Sequence, residues 1–314
     1  MRGINAPFKA LLIALTFLPL AACQLSQPQP EATPARSEAE KRLLRSGELA
    51  EDEIWSGEVS VEGELIIPRG ISVTVMPGTI VRFKPGTSPP GRIVIYGSLY
   101  AQGNPDRPIL FTSASPSPRE GDWEGLIFTP EGMGSALRSC IFQNYTRIYI
   151  GSDNVRIDDC SFSHADEAGL VVERAAPIIS RVSVSRCEIG VYCINGARPE
   201  INRSSIVLNG YGIVCENGSS PRISNSLIAN NRMHGVVCYT GSSPKLASCN
   251  IIRNGGWAVY GGGRIVDCFI MGNNKQPPDR VEMNMALSTD QFQRVEEVVN
   301  LRSSPVPYAG AGGF

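Results

Sequence analysis

Two adjoining carboxylates and two guanidinium groups carry the most chemistry in this sequence. Asp158 and Asp159 are followed, at steps of 22 residues from Asp159, by Arg181 and Arg203, and His164 lies five residues past Asp159. Groups that recur at one spacing stack into a column when the chain coils with that period. For elimination on a uronate, an arginine or lysine takes the proton α to the carboxylate, while calcium held by several aspartates acidifies it. Hydrolysis of a glycosidic bond instead needs two or three carboxylates around it. Neighbouring coils offer arginine, serine and asparagine in place of more acids, so a calcium cluster is incomplete, and a salt bridge on a solvated face is the simplest reading. Asp159, Arg181, Arg203 and His164 are the catalytic candidates. Calcium is required only if the chain is a lyase, and no other cofactor is implied.

His164 and His234 are the only histidines, too few for a histidine metal site. No Gly-x-Ser-x-Gly elbow is present to seat a nucleophilic serine. Of the nine cysteines, Cys193, Cys215 and Cys238 recur at the coil period. Stacked cysteines stand about 4.8 Å apart, whereas a disulfide wants Cβ atoms near 3.8 Å. The outer two of three would lie roughly 9.6 Å apart, too far for one zinc ion. The cysteines therefore read as small core hydrophobes, and no metal site is expected.

Binding has a separate signal. Four segments, Gly190–Cys193, Gly212–Cys215, Gly235–Cys238 and Trp257–Tyr260, read as strands that put Cys193, Cys215, Cys238 and Tyr260 in one column. Tyr192, Val214, Val237 and Val259 then form an outward apolar stripe, with Tyr239 and Trp257 nearby. An exposed apolar stripe marks a partner. Tyr192, Tyr239 and Trp257 are the binding candidates, for sugar stacking or an envelope protein, unless residues 280–310 cover the stripe.

The elements that would hold these groups follow from a repeat. Segments beginning at Ser135, Val155, Pro177, Pro199, Pro221, Pro244 and Gly263 are spaced by 20, 22, 22, 22, 23 and 19 residues. The third position (Leu137, Ile157, Ile179, Ile201, Ile223, Leu246, Ile265) and the eighth (Phe142, Phe162, Val184, Ile206, Ile228, Ile251, Ile270) are always apolar. The sixth is small: Cys140, Cys160, Val182, Ser204, Ser226, Cys249 and Cys268. A step of two is a strand period and a step of three marks a bend, which disfavours helical solenoids. Coils of about 22 residues with three short strands each, stacked at strand spacing, satisfy the pattern. Asn144, Asn209, Asn231, Asn254 and Asn273 recur near the tenth position, where an amide can bond turn backbone and left-handed geometry is tolerated. Residues 55–130 lack the period but alternate in bursts between glycine and proline bends, reading as about three more coils.

The run from Trp55-Ser56-Gly57 to Pro77-Gly78-Thr79, followed by Gly121-Asp122-Trp123-Glu124-Gly125-Leu126, resembles bacterial right-handed parallel β-helix repeat proteins of the pectate-lyase-like superfamily. The resemblance covers roughly residues 55–275. It implies an all-β fold, a right-handed parallel β-helix of coils near 22 residues. It implies little about activity, since that superfamily holds lyases, hydrolases, esterases, adhesins and accessory proteins.

At the N-terminus, Arg2 and Lys9 precede the apolar run Ala10–Leu18, too short to span a bilayer, and Leu20-Ala21-Ala22-Cys23 resembles the bacterial lipobox. Residues 1–22 are expected to be a lipoprotein signal peptide, with Cys23 the lipid attachment site and residues 23–36 a proline-rich tether. Residues 37–54 are expected as an N-terminal cap, 55–275 as the β-helix and 276–314 as a C-terminal cap and tail. Short helices are expected in both caps, from Ser37/Glu40 and Ser288/Gln291 capping-box spacing. Gln24 follows the lipid cysteine in place of the aspartate that retains related lipoproteins at the inner membrane, which points to the outer membrane. Loss of Arg2 and Lys9 takes the basic residues from 29 to 27 against 30 acidic ones, a net charge of −3, and no basic run suggests nucleic acid. The expected protein is a non-enzymatic envelope lipoprotein whose solenoid surface binds polysaccharide or another envelope component. The alternative is a polysaccharide lyase or glycoside hydrolase acting on the β-helix face. A third role, in metal-enzyme maturation, is disfavoured by the two histidines.

Overall fold

The structure, a computed structural model, describes residues 43–239 and 241–274. It is an all-β right-handed solenoid in which every coil before the last described one contributes to three strand rows. Face I is a ten-stranded parallel sheet running from Glu53–Trp55 to Arg264–Val266. The other two rows, faces II and III, are the two halves of a bent 19-stranded sheet. Within one coil the chain passes from face I (Ile178–Ser180) to II (Ser183–Ser185) to III (Ile189–Ile194) and then back to I. Three coils precede Ser135, as the alternation in residues 55–130 implies.

Each apolar column becomes a stack because adjacent strands pair with no register shift. Ile157, Ile179, Ile201, Ile223, Leu246 and Ile265 are successive in-register partners. Phe142, Phe162, Val184, Ile206 and Ile228 form the matching row on face II. In both rows every side chain is buried. No coil has enough apolar surface to close a core alone, so stability comes from neighbour-to-neighbour burial. Aromatic residues fill the N-terminal half: Phe83 stacks on Trp123 at 3.9 Å, and Phe111, Phe142 and Phe162 stack at 4.7 and 4.9 Å.

The bends need left-handed backbone, and one residue per bend supplies it. Between faces I and II these are Ser139, Asp159, Arg181, Arg203, Asn225, Ser248 and Asp267, all with φ between 47 and 52°. Between faces II and III they include Asn144, His164, Arg186, Leu208, Asn230 and Arg253. Beside that second bend runs a buried amide ladder. Asn231 Oδ1 accepts the Asn209 backbone N–H at 3.0 Å and Nδ2–H at 3.2 Å, and Asn231 in turn donates to Asn254 Oδ1. Asn254 donates likewise to Asn273. Asn144 does not belong to this ladder. It occupies the left-handed position itself, and the ladder position of its coil is Tyr145, whose hydroxyl donates to the Gly169 carbonyl.

Two further expectations are corrected. The helix expected within 37–54 is not formed over its described part: Leu43–Glu48 is a strand lying parallel on Glu58–Ile67. The first coil would otherwise expose a row of unpaired N–H and C=O groups, and Gly47, at φ 74° beside a register shift, suits a bulge better than a helix. The C-terminal helix expected after Asn274 lies outside the described residues, as do the signal peptide, the tether and Cys23. Tyr260 does not continue the cysteine column. It pairs with Val237, and Val259 pairs with Val236 and points into the core. The slot over Cys238 belongs to Gly261, where a Cβ would lie 2.0 Å from the Cys238 carbonyl oxygen.

Candidate functional site

Asp159 and Arg181 meet as their spacing requires. Arg181 Nε–H donates to Asp159 Oδ1 at 2.9 Å, and the same guanidinium also pairs with Asp158. Hydrogen bonding to Asp159 and the charges of both aspartates hold the Arg181 pKa above its ordinary value. That is the wrong direction for a base that must give up its proton. Arg203 follows one coil on, in the same bend column. His164 is not brought to this group, because it sits at the other end of the strand Ser161–Ser163, in the bend between faces II and III. Burial and Arg186 lower its pKa, with Glu120 opposing.

The donor set does not fit the calcium cluster of a lyase. Both carboxylates are taken by Arg181, and the next coils offer Ser180, Asn202, Arg203 and Asn225 instead of acids. Among the described residues no group of three histidine, cysteine, aspartate or glutamate side chains could hold a metal ion. The eight cysteines from Cys140 to Cys268 are all free and buried. In Cys140 and Cys187 burial is the largest cause of a raised thiol pKa, to about 12 for Cys187.

The outward row on face III is Tyr149, Val171, Tyr192, Val214, Val237 and Tyr260, by strand register. Tyr192 donates its hydroxyl to Glu216 Oε2 at 2.8 Å, and burial together with that carboxylate pushes its pKa up to about 12. Tyr149 and Glu173 repeat the arrangement two coils earlier. Val214 and Val237 are buried, so the stripe is not open along its length. Tyr239 and Tyr260 are exposed, and Trp257 is half-buried. His234 ties this end together: its ring lies parallel to Tyr260 at 5.5 Å and tilted against Tyr211 at 5.9 Å, and its Nδ1 accepts the Trp257 backbone N–H at 2.7 Å. Tyr239 and Trp257 therefore lie by an aromatic group, while Tyr192 is tied up with Glu216.

Face I carries a feature that the candidate residues omitted. Its outward row reads Arg156, Ile178, Glu200, Arg222, Lys245 and Arg264. A groove of about 650 Å³ runs over these coils, lined by Ile178, Arg198, Glu200, Arg222 and Lys245 among others. On the other faces neighbouring charges alternate in sign: Glu58 with Arg82, Glu62 with Lys84, and the chain Glu64, Arg92, Glu124, Arg147, Glu167. On face I three cations follow one another. The signal is present in the same repeat, at its second position, where Arg222, Lys245 and Arg264 recur.

The family described as a right handed beta helix region matches residues 125–274. Among solved structures the chain is similar to the periplasmic alginate epimerase AlgG, with 11% identity, 73% of this chain and 77% of that one covered, and a TM-score of 0.43. It is also similar to the Azotobacter vinelandii mannuronan C-5 epimerase AlgE4 A-module, with 13% identity, 74% and 91% covered, and a TM-score of 0.37. No curated protein matches it.

Proposed function

We propose that this is a non-enzymatic protein of the bacterial cell envelope that holds an anionic polysaccharide along face I. The observation that carries the reading is the in-register cation row Arg222, Lys245, Arg264. Like charges directly opposite on paired strands oppose folding. At about 4.8 Å in bulk water each adjacent pair costs roughly 0.9 kcal/mol before the side chains splay. A polyanion laid along the solenoid axis converts that repulsion into attraction, one carboxylate or sulfate to each coil. Arg198 widens the positive strip, and exposed Ile178 offers a sugar ring an apolar contact.

Binding rather than turnover is supported by the state of the Asp159–Arg181 pair, whose charges satisfy each other. Mature protein incubated with polyuronate and calcium is expected to yield no unsaturated product and no new reducing ends. Co-sedimentation with the same polymer is expected to show binding that weakens as salt rises. Product that disappears with Asp159→Ala or Arg181→Ala would establish the lyase or hydrolase instead.

The anchoring reading rests on Leu20-Ala21-Ala22-Cys23 and the tether after it, with outer-membrane placement resting on Gln24. Labelled palmitate should enter the wild-type chain and not Cys23→Ser, and the protein should co-fractionate with outer membrane. Among the described residues no helix is long and apolar enough to cross a membrane.

A further inference from the structure

Along a strand that covers a core, alternate side chains point outward. On face II the inward residues of the last coils are Ile206, Ile228, Ile251 and Ile270. Their outward neighbours change character partway down the solenoid. In Ser161–Ser163 and Ser183–Ser185 they are serines; from Ser205–Val207 onward they include Val207, Leu227, Ala229, Ile252 and Phe269.

Although they point away from the core, Val207, Ala229 and Ile252 are 1%, 0% and 1% exposed. They form an apolar cluster of their own with Leu227, against which Leu208 and Phe269 pack. Row neighbours above and below cannot give an outward alanine zero exposure, because its solvent side stays open. The strands and bends of these coils leave no described segment to lie outside the row. Ser205 points the same way, is 2% exposed, and its hydroxyl has no hydrogen-bond partner among the described residues. A buried hydroxyl of this kind calls for a polar group from whatever lies across it. Around the bend, outward Val214 and Val237 are buried as well.

We propose that the chain's own C-terminal segment, residues 275–314, docks on this outer surface of the last four coils. The described chain ends at Asn274, three residues past Met271, the last residue of the row, whereas the N-terminal strand Leu43–Glu48 lies on the first coil. Forty residues follow, and they carry Phe292, Val295 and Val299 at spacings of three and four. Three coil steps at about 4.8 Å need only about 15 Å of reach, roughly five extended residues. The same row also holds Ile80, Leu110 and Ile141 in earlier coils, but these are only half-buried; the fully buried outward apolar residues lie in the coils nearest this exit, where a returning segment meets them first. The docking does not depend on the polysaccharide reading, since it uses a different face.

The test places a benzoylphenylalanine photo-crosslinker at Leu227 in the full chain, followed by irradiation, digestion and mass spectrometry. The expected result is an intramolecular link between that position and a peptide within 275–314. A link to residues 1–42, or a crosslinked dimer, overturns the proposal. A second measurement follows maleimide labelling of Val207→Cys. It should be at least tenfold slower in the full chain than at the exposed control Ser243→Cys, and should approach the control when the chain is ended after Asn274. Equal rates in the full chain overturn the proposal even if the truncated chain fails to fold.

Discussion

Arg222 and Lys245 are in-register partners on adjacent strands of face I, so two positive side chains stand where most of the solenoid places opposite charges. Arg264 extends the row by one more coil, and only Arg222 has an acidic neighbour in it, Glu200, at 3.4 Å.

Lys245→Glu should therefore separate stability from binding. Replacing the middle cation turns two repulsions into two attractions, and the urea midpoint should rise by an amount equivalent to about 0.5–1 kcal/mol. Affinity for a polyuronate should fall at least tenfold at low salt. A variant both less stable and equally tight would show that the row is incidental.

The amide ladder should be far less tolerant than this surface. Asn231 accepts two bonds from Asn209 and donates to Asn254 Oδ1 and the Ile206 carbonyl. Asn231→Leu leaves several buried groups without partners, at about 1–3 kcal/mol each. Denaturant unfolding should show a loss of at least about 3 kcal/mol, or an insoluble chain.

The repeat was legible because its inward columns alternate strictly: Ile179, Ile201 and Ile223 predict their own stacking, and the Asp159–Arg181 contact follows from it. Outward residues are less legible, since their meaning depends on neighbours the repeat does not set. Val214 and Val237 look exposed from their position but are covered, and Tyr192 looks free but is held by Glu216. The ends fail for another reason. In the first coil, edge pairing overrides the helical spacing of Leu43 to Leu49, and in the last coils a glycine shifts the register seen by Tyr260.

Two phenol–carboxylate contacts give a pH signature. Tyr149 and Tyr192 are both raised from 10.0 to about 12, so the folded state holds these protons more tightly than the unfolded chain does. Their stabilisation is complete below about pH 10 and is lost as pH rises through 12. Each should contribute on the order of 1–2 kcal/mol once partial exposure is discounted. The Tyr149→Phe and Tyr192→Phe double variant should show a correspondingly flatter loss of stability between those pH values. Glu173 behaves oppositely. Its pKa is lowered by Asn195 and Tyr149, so its contribution is lost on acidification below the ordinary carboxylate range.

Gly261 and Gly196 make a controlled pair for testing the register of the last coils. Both have left-handed backbone, at φ 92° and 82°, so an alanine at either carries a similar conformational cost of about 1–2 kcal/mol. They differ in what a Cβ would meet: nothing within 4 Å at Gly196, and the Cys238 carbonyl oxygen at 2.0 Å at Gly261. Gly196→Ala should therefore cost only the backbone strain. Gly261→Ala must also push the last coil away from the strand Val236–Cys238, breaking the pairing that turns Tyr260 outward. Hydrogen exchange should then speed up at Val259–Tyr260 and Arg264–Val266, while the coils before Pro199 stay protected. Equal, small effects at both glycines would mean that Tyr260 stacks over Cys238 after all, and that the aromatic group around His234 is not assembled as described.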